Sequence, residues 1–287
     1  MLNPLNPGKR LHLALQEEYP LQLVGVINAY CALLAQQAGF HALYVSGAGV
    51  ANAAYGMPDL GMTTLTEVAE EVRRIARVTD LPIVVDADTG FGHTLMIERT
   101  VRELSAAGAA GLHLEDQIAT KRCGHLPNKE LVNKEEMIKR IRTAVAAKPY
   151  PDFVIIARTD AVAVEGIDAA LKRAKEYVSA GADWIFAEAV TTLADYQLFV
   201  RELSVPVLAN ITEFGKTPLF TRDELAKVGV KVILYPLSAF RAMNKAALSV
   251  YETIKQHGTQ VSMVNHMQTR EELYDVLNYW EQEKKLE

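Results

Sequence analysis

LPIVVDADTGFGHTLMIERTVRELSAAGAAGLHLED, residues 81–116, decides the fold. It opens with an apolar run that ends in Asp86 and Asp88. Ile97, Val101 and Leu104 follow at helical spacing and form one apolar stripe. Gly108 then closes the helix, in the position where a left-handed residue is favoured. A second apolar run ends in Glu115 and Asp116. Both runs are apolar on both faces, as buried parallel strands are. The segment is therefore a strand, a crossover helix and a parallel strand.

The same unit recurs on either side. Strands are expected at 21–28, 41–47, 81–88, 109–116, 152–160, 182–190, 205–212 and 230–237. Helices are expected at 30–39, 64–79, 94–108, 134–148, 167–181, 193–203, 222–228 and 239–257. Long loops follow the second and fourth strands. A doubly wound open sheet usually has fewer strands, so eight cycles in 287 residues point to an α/β fold of the closed (β/α)8, TIM-barrel type. The chain reads as one barrel domain over 1–287. A further helix, within 269–286, lies outside the repeat. Leu273, Val276, Leu277, Tyr279 and Trp280 give it an apolar side that suits its own barrel or a neighbouring subunit.

Composition narrows the function. A formal net charge of −5 argues against a nucleic-acid binder, which carries a basic stripe. Two cysteines, Cys31 and Cys123, make no disulfide framework and suit a reducing compartment. Residues 1–10 lack the apolar core of a signal peptide, and no run of about 18 apolar residues suggests a membrane span. The expectation is a cytoplasmic protein.

In this fold the chemistry sits at the C-terminal ends of the strands. Those ends carry Tyr44, Ser46 and Gly47, then Asp86 and Asp88, Glu115 and Asp116, Arg158 and Asp160, Glu188, and Asn210 and Thr212. Carboxylates at successive strand ends repel one another unless a cation lies between them. Asp86 and Asp88 share a face, Glu115 comes from the adjacent strand, and Asp59 can reach in from the loop after the second. Such a set, without Cys or His, suits Mg2+ first and Mn2+ second. Arg158 suits a bidentate contact with a substrate carboxylate, or an internal pair with Glu188. Ser46, Gly47 and Ala48 offer a hydroxyl and backbone N–H groups to a second carboxylate. In Lys121-Arg122-Cys123-Gly124-His125, two cations and a histidine flank a thiol, which lowers its pKa and suits it to proton transfer.

The loop KRCGH, preceded by GLHLEDQ, resembles the signature of the isocitrate lyase and phosphoenolpyruvate mutase superfamily, in its lyase branch. VGVINAYCALLAQQAGF, YVSGAGVA, VDADTGFG, ARTDA, PVLANITEFG, LYPLSAFRAMN and MQTREELY extend the likeness across almost the whole chain. The resemblance implies a Mg2+-dependent carbon–carbon lyase acting on a tricarboxylate, with 2-methylisocitrate cleaved to pyruvate and succinate in propionate catabolism by the methylcitrate cycle. It implies that Asp86 and Asp88 hold the metal, with Asp59 and Glu115 helping through water. Cys123 becomes the proton donor, with Lys121 and His125 keeping it poised, and Tyr44 a candidate base. Tyr44, Ser46, Gly47, Ala48 and Arg158 hold the pyruvate half. Gly124, Glu188, Asn210, Ile211, Thr212, Arg241 and Arg270 hold the rest, and Phe186, Leu234 and Pro236 form a hollow for the methyl group. It also implies a homotetramer that exchanges the terminal helix between subunits.

Overall fold

The structure is a computed structural model that describes residues 5–122, 124 and 128–286. Each apolar run shortens to a strand: β1 Leu21–Gly25, β2 Ala42–Val45, β3 Ile83–Asp86, β4 Gly111–Glu115, β5 Val154–Thr159, β6 Trp184–Ala187, β7 Val207–Asn210 and β8 Val232–Tyr235. All pair in parallel, in sequence order, and β1 pairs with β8 to close the barrel. The helices are α1 Pro7–Glu17, α2 Ala29–Gln37, α3 Gly47–Tyr55, α4 Leu65–Ala76, α5 Thr94–Ala107, α6 Lys134–Ala146, α7 Val162–Glu165, α8 Ile167–Ser179, α9 Leu193–Glu202, α10 Arg222–Lys227, α11 Ser238–His257, α12 Arg270–Val276 and α13 Tyr279–Glu283.

Alternation along each strand divides the core in two. Leu21, Leu23, Val84, Ile156, Trp184, Phe186, Leu208 and Leu234 point inward and fill the barrel. Their neighbours, such as Leu43, Val85, Leu112, Leu114, Ile155 and Ile185, point outward against the helices. The barrel interior is thus a packed core rather than a pore. Gly25 is required at the closing seam, because a Cβ there would lie 1.7 Å from the Pro236 carbonyl oxygen.

Besides the one-turn α7, two helices were not expected from apolar periodicity. In α1 the Asn6 side chain accepts from the Lys9 N–H and Pro7 takes the first turn, an N-terminal signal legible in the sequence. Its Leu11 and Ala14 pack into the inner core. The other is α3, which follows directly from the end of β2.

The eighth helix also departs from the expected ring. No residue of α11 is buried, although its sequence is amphipathic. Leu248, Tyr251 and Ile254, spaced three apart, are 48%, 69% and 43% exposed. The terminal helix expected within 269–286 forms two short ones, α12 and α13, and the chain returns toward α2 where Tyr30 Oη donates to Gln268. Among the described residues no helix is long and apolar enough to cross a membrane.

Candidate active site

The inward positions at the strand ends converge on a cavity of about 290 Å³. Tyr44, Ser46, Ala48, Asp59, Asp86, Lys121, Gly124, Arg158, Phe186, Glu188, Asn210, Thr212, Leu234, Pro236 and Arg241 all line it, as the sequence led us to expect. A larger cavity of about 810 Å³ lies at the other end of the barrel, around His41, Thr79 and Pro82, away from the strand C-termini. Chemistry belongs to the smaller one, where the buried charges meet.

The acidic half is built on β3 and β4. Asp86 Oδ2 accepts from the Gly47 N–H at 3.1 Å and its Oδ1 from the Asp88 N–H at 3.0 Å. Asp88 adopts a left-handed backbone, φ 46°, which turns the chain sharply off the strand end. Lys121 Nζ lies 2.5 Å from Asp88 Oδ1 and 2.7 Å from Asp59 Oδ1. Asp88 and Lys121 also line a neighbouring cavity of about 520 Å³. Lys121 therefore meets the acidic cluster itself, a placement that its expected role beside the thiol did not foresee.

Burial and charge act against each other here. Burial favours a neutral Asp86, but His113, Lys121 and Arg158 outweigh it and hold the carboxyl well below the usual range. Asp88 is pushed up to about 7, first by burial and then by the Asp86 carboxylate. Burial, the largest influence, also raises Glu115. For Lys121 burial opposes the charge, yet Asp88, Asp86, Glu115 and Asp59 together raise its pKa.

Arg158 forms the basic half. Its Nε lies 2.9 Å from Asp160 Oδ2 and 3.5 Å from Glu115 Oε2, and its Nη2 lies 3.3 Å from Glu188 Oε2. The guanidinium carbon lies 5.1 Å from the centroid of the Phe186 ring. Glu188 in turn accepts from Asn210 Nδ2 at 3.3 Å. The internal pair with Glu188 is therefore present, and Arg158 also lines the cavity.

Four expected residues need comment. Ile211 is buried among the apolar residues outside the barrel, and its backbone N–H donates to the Leu234 carbonyl. Its side chain therefore faces away from the cavity. Arg270 opens α12, exposed and outside the cavity lining of its own chain. Cys123 and His125 lie outside the described residues.

His113 is the main residue that sequence reasoning missed. It alternates with Glu115 on β4, so both point inward, and that spacing was the available signal. Its Nε2 lies 2.8 Å from Tyr44 Oη and 3.4 Å from Asp86 Oδ1. Burial drives its pKa down to about 4, so the ring is neutral at pH 7. Burial likewise raises Tyr44 well above its ordinary value and keeps the phenol protonated. The β7 loop adds Glu213, Phe214 and Gly215. Phe214 is 93% exposed at φ 62°, with the Arg241 guanidinium 5.6 Å from its ring centroid.

Among the described residues, no three His, Cys, Asp or Glu side chains converge as a ready-made ligand set. The donors nevertheless fit a hard divalent cation. All are oxygens, and Glu115 Oε1 is buried without a hydrogen-bond partner among the described residues.

Comparison with known proteins agrees with this geometry. The sequence profile described as phosphoenolpyruvate phosphomutase matches residues 11–255. The 2-methylisocitrate lyase of Escherichia coli (strain K12) is 58% identical, over 98% of this chain and 96% of that protein. A solved structure of 2,3-dimethylmalate lyase is 33% identical, covers 98% of this chain and 95% of its own, and superposes with a TM-score of 0.90. A phosphonopyruvate hydrolase in complex with oxalate and Mg2+ is 28% identical, covers 98% of each chain and gives a TM-score of 0.85. The chain belongs to the phosphoenolpyruvate phosphomutase family, in the isocitrate lyase/PEP mutase superfamily. Within it the chain is an enzyme of the lyase class, similar over nearly its whole length to proteins named 2-methylisocitrate lyase.

Proposed function

We propose that the protein is a Mg2+-dependent lyase that cleaves 2-methylisocitrate to pyruvate and succinate, a step of propionate breakdown through the methylcitrate cycle. The observation that carries the reading is one cavity in which acidic, cationic and apolar walls meet: Asp59 and Asp86, then Arg158 and Arg241, then Phe186, Leu234 and Pro236. A tricarboxylate with one added methyl group needs all three.

Asp86 and Asp88 would hold Mg2+, with Asp59 and Glu115 reaching it through water; Mn2+ suits the same oxygens. When bound, Mg2+ polarises the substrate hydroxyl and the adjacent carboxylate. Arg158 grips the carboxylate of the pyruvate half, and Ser46 and Ala48, at the start of α3, hold its other side. The reaction is a retro-aldol cleavage. The hydroxyl proton leaves, the carbon–carbon bond breaks, and the bonding pair stays on the succinate carbon as an aci-carboxylate. Burial keeps the Tyr44 phenol protonated, which favours a carboxylate as acceptor of the hydroxyl proton. Asn210, Thr212 and Arg241 face the same cavity and spread the carbanion charge. Cys123 then returns a proton to carbon, its thiol poised by His125.

The apolar wall sets specificity. A single methyl group separates substrates by about 1–3 kcal/mol, so isocitrate is a slower substrate rather than an excluded one. The exposed apolar positions of α11 support assembly as a homotetramer, with the exchanged segment beginning at α11 rather than at α12.

The test is pyruvate and glyoxylate release from 2-methylisocitrate and isocitrate in parallel, with and without EDTA. Fast pyruvate release that EDTA abolishes supports both the metal and the methyl hollow. Inactivity on both acids with Mg2+ present, alongside turnover of 2,3-dimethylmalate or oxaloacetate, would overturn the substrate.

A further inference from the structure

The loop between β4 and α6 carries Cys123, and two of the loop's own side chains hold its described backbone. One is Gln117, whose Oε1 accepts from the Arg122 N–H at 2.9 Å and whose Nε2 donates to the Arg122 carbonyl at 2.9 Å. The other is Lys129. Its side chain is 1% exposed, and its ammonium donates to the Gly124 carbonyl at 2.5 Å and to Asp160 Oδ1 at 2.8 Å. Asp160, fully buried, accepts from Arg158 Nε at 2.9 Å and Nη2 at 3.1 Å. Its own N–H donates to Asp116 Oδ1, which fixes it to the end of β4. Gly124 meanwhile lies directly on the site. A Cβ there would come 2.4 Å from Arg158 Nη2 and 2.6 Å from Glu188 Cγ.

Lys129 thus spans two things the reaction must keep in register: the backbone beside Cys123, and the carboxylate that orients Arg158. Burying a lysine costs desolvation and about 1.5–2 kcal/mol of side-chain entropy. That cost is offset because the ammonium donates to both oxygens; an apolar side chain of similar length would leave the Gly124 carbonyl and Asp160 each short of a buried donor.

We propose that Lys129 is a positioning residue for the lyase reaction: its buried ammonium latches the Gly124 carbonyl to the Asp160–Arg158 pair and so sets the path of the chain on which Cys123 is the preceding residue. The inference rests on the reading given under Proposed function. Lys129 faces neither the substrate cavity nor the acidic cluster, so its loss acts through position and not through substrate contact.

Lys129→Met tests the latch by two readouts. The first is pyruvate release from 2-methylisocitrate with Mg2+. A misplaced loop lowers kcat about 100-fold and leaves KM within about threefold. The second is amide hydrogen exchange in the intact protein without substrate. Exchange across residues 118–131 accelerates at least about tenfold while the barrel strands keep their protection. A kcat within about threefold of the wild type would overturn the proposal, and so would faster exchange spread evenly over the barrel. If Lys129→Met fails to fold, Lys129→Leu, which also removes the donor, is read by the same two criteria. An inactive wild type would sink the substrate assignment, while the exchange result would still decide the latch.

Discussion

The ammonium of Lys121 lies 2.5 Å from the Asp88 carboxylate, at the point where the acidic residues of the loop after β2 and of β3 face one another. A buried cation there neutralises charges that otherwise repel. Removing one partner of such a set leaves carboxylates buried and unpaired, at a cost of about 3–5 kcal/mol. Lys121→Met should therefore lower the melting temperature, and added Mg2+ should raise it more in the variant than in the wild type. A variant as stable as the wild type, with no greater response to Mg2+, would rule out this account of Lys121.

The pH dependence of metal binding follows from Asp88. Its folded pKa of about 7 lies above the unfolded value, so the folded carboxyl keeps its proton as pH rises toward 7. Mg2+ must displace that proton. Stabilisation by Mg2+ should be weak at about pH 6 and strong at about pH 8. Thermal shift titrations at both pH values measure this, and a response independent of pH would contradict it.

His113 sets a second window, on the acid side. Its folded pKa of about 4 lies below the unfolded value of about 6.5, so the unfolded chain takes up a proton first as pH falls. Stability is fully present above about 6.5 and is lost progressively toward pH 4, by on the order of 3 kcal/mol for this group. Urea unfolding across that range should show a shallower pH slope in His113→Gln. Identical slopes would mean that the ring is not held neutral.

Arg158 contacts three carboxylates and still faces the cavity. Lysine presents a point charge and cannot keep both the Asp160 fork and a bidentate grip on substrate. Arg158→Lys should lower kcat/KM at least about 100-fold, at roughly 1.5–3 kcal/mol for each charged hydrogen bond lost. Steady-state kinetics decide it, and a loss below about tenfold would remove Arg158 from substrate binding.

Oligomeric state tests the unburied helix. Light scattering on the wild type should give a tetramer. Tyr251→Glu with Ile254→Glu, on the exposed apolar face of α11, should dissociate it while the barrel stays folded by circular dichroism. A monomeric wild type would refute the exchange.

Local information in the sequence determined the barrel. Continuous apolar runs and stripes of period 3.6 repeat eight times, and a glycine such as Gly108 marks a helix end, φ 111°. The polar strand ends were equally legible, and most of the expected residues line one cavity, although Gly47, Asp88, Glu115, Ile211 and Arg270 are not among its lining. Tertiary structure decided what depends on residues far apart in the chain. Lys121 reaches Asp59 and Asp88, His113 meets Tyr44, and Lys129 closes on Asp160 only because the closed barrel brings β2, β3, β4 and β5 side by side. The fate of α11 was likewise beyond local pattern. An amphipathic stripe records that a face is to be covered, and what covers it is set by the packing of whole elements.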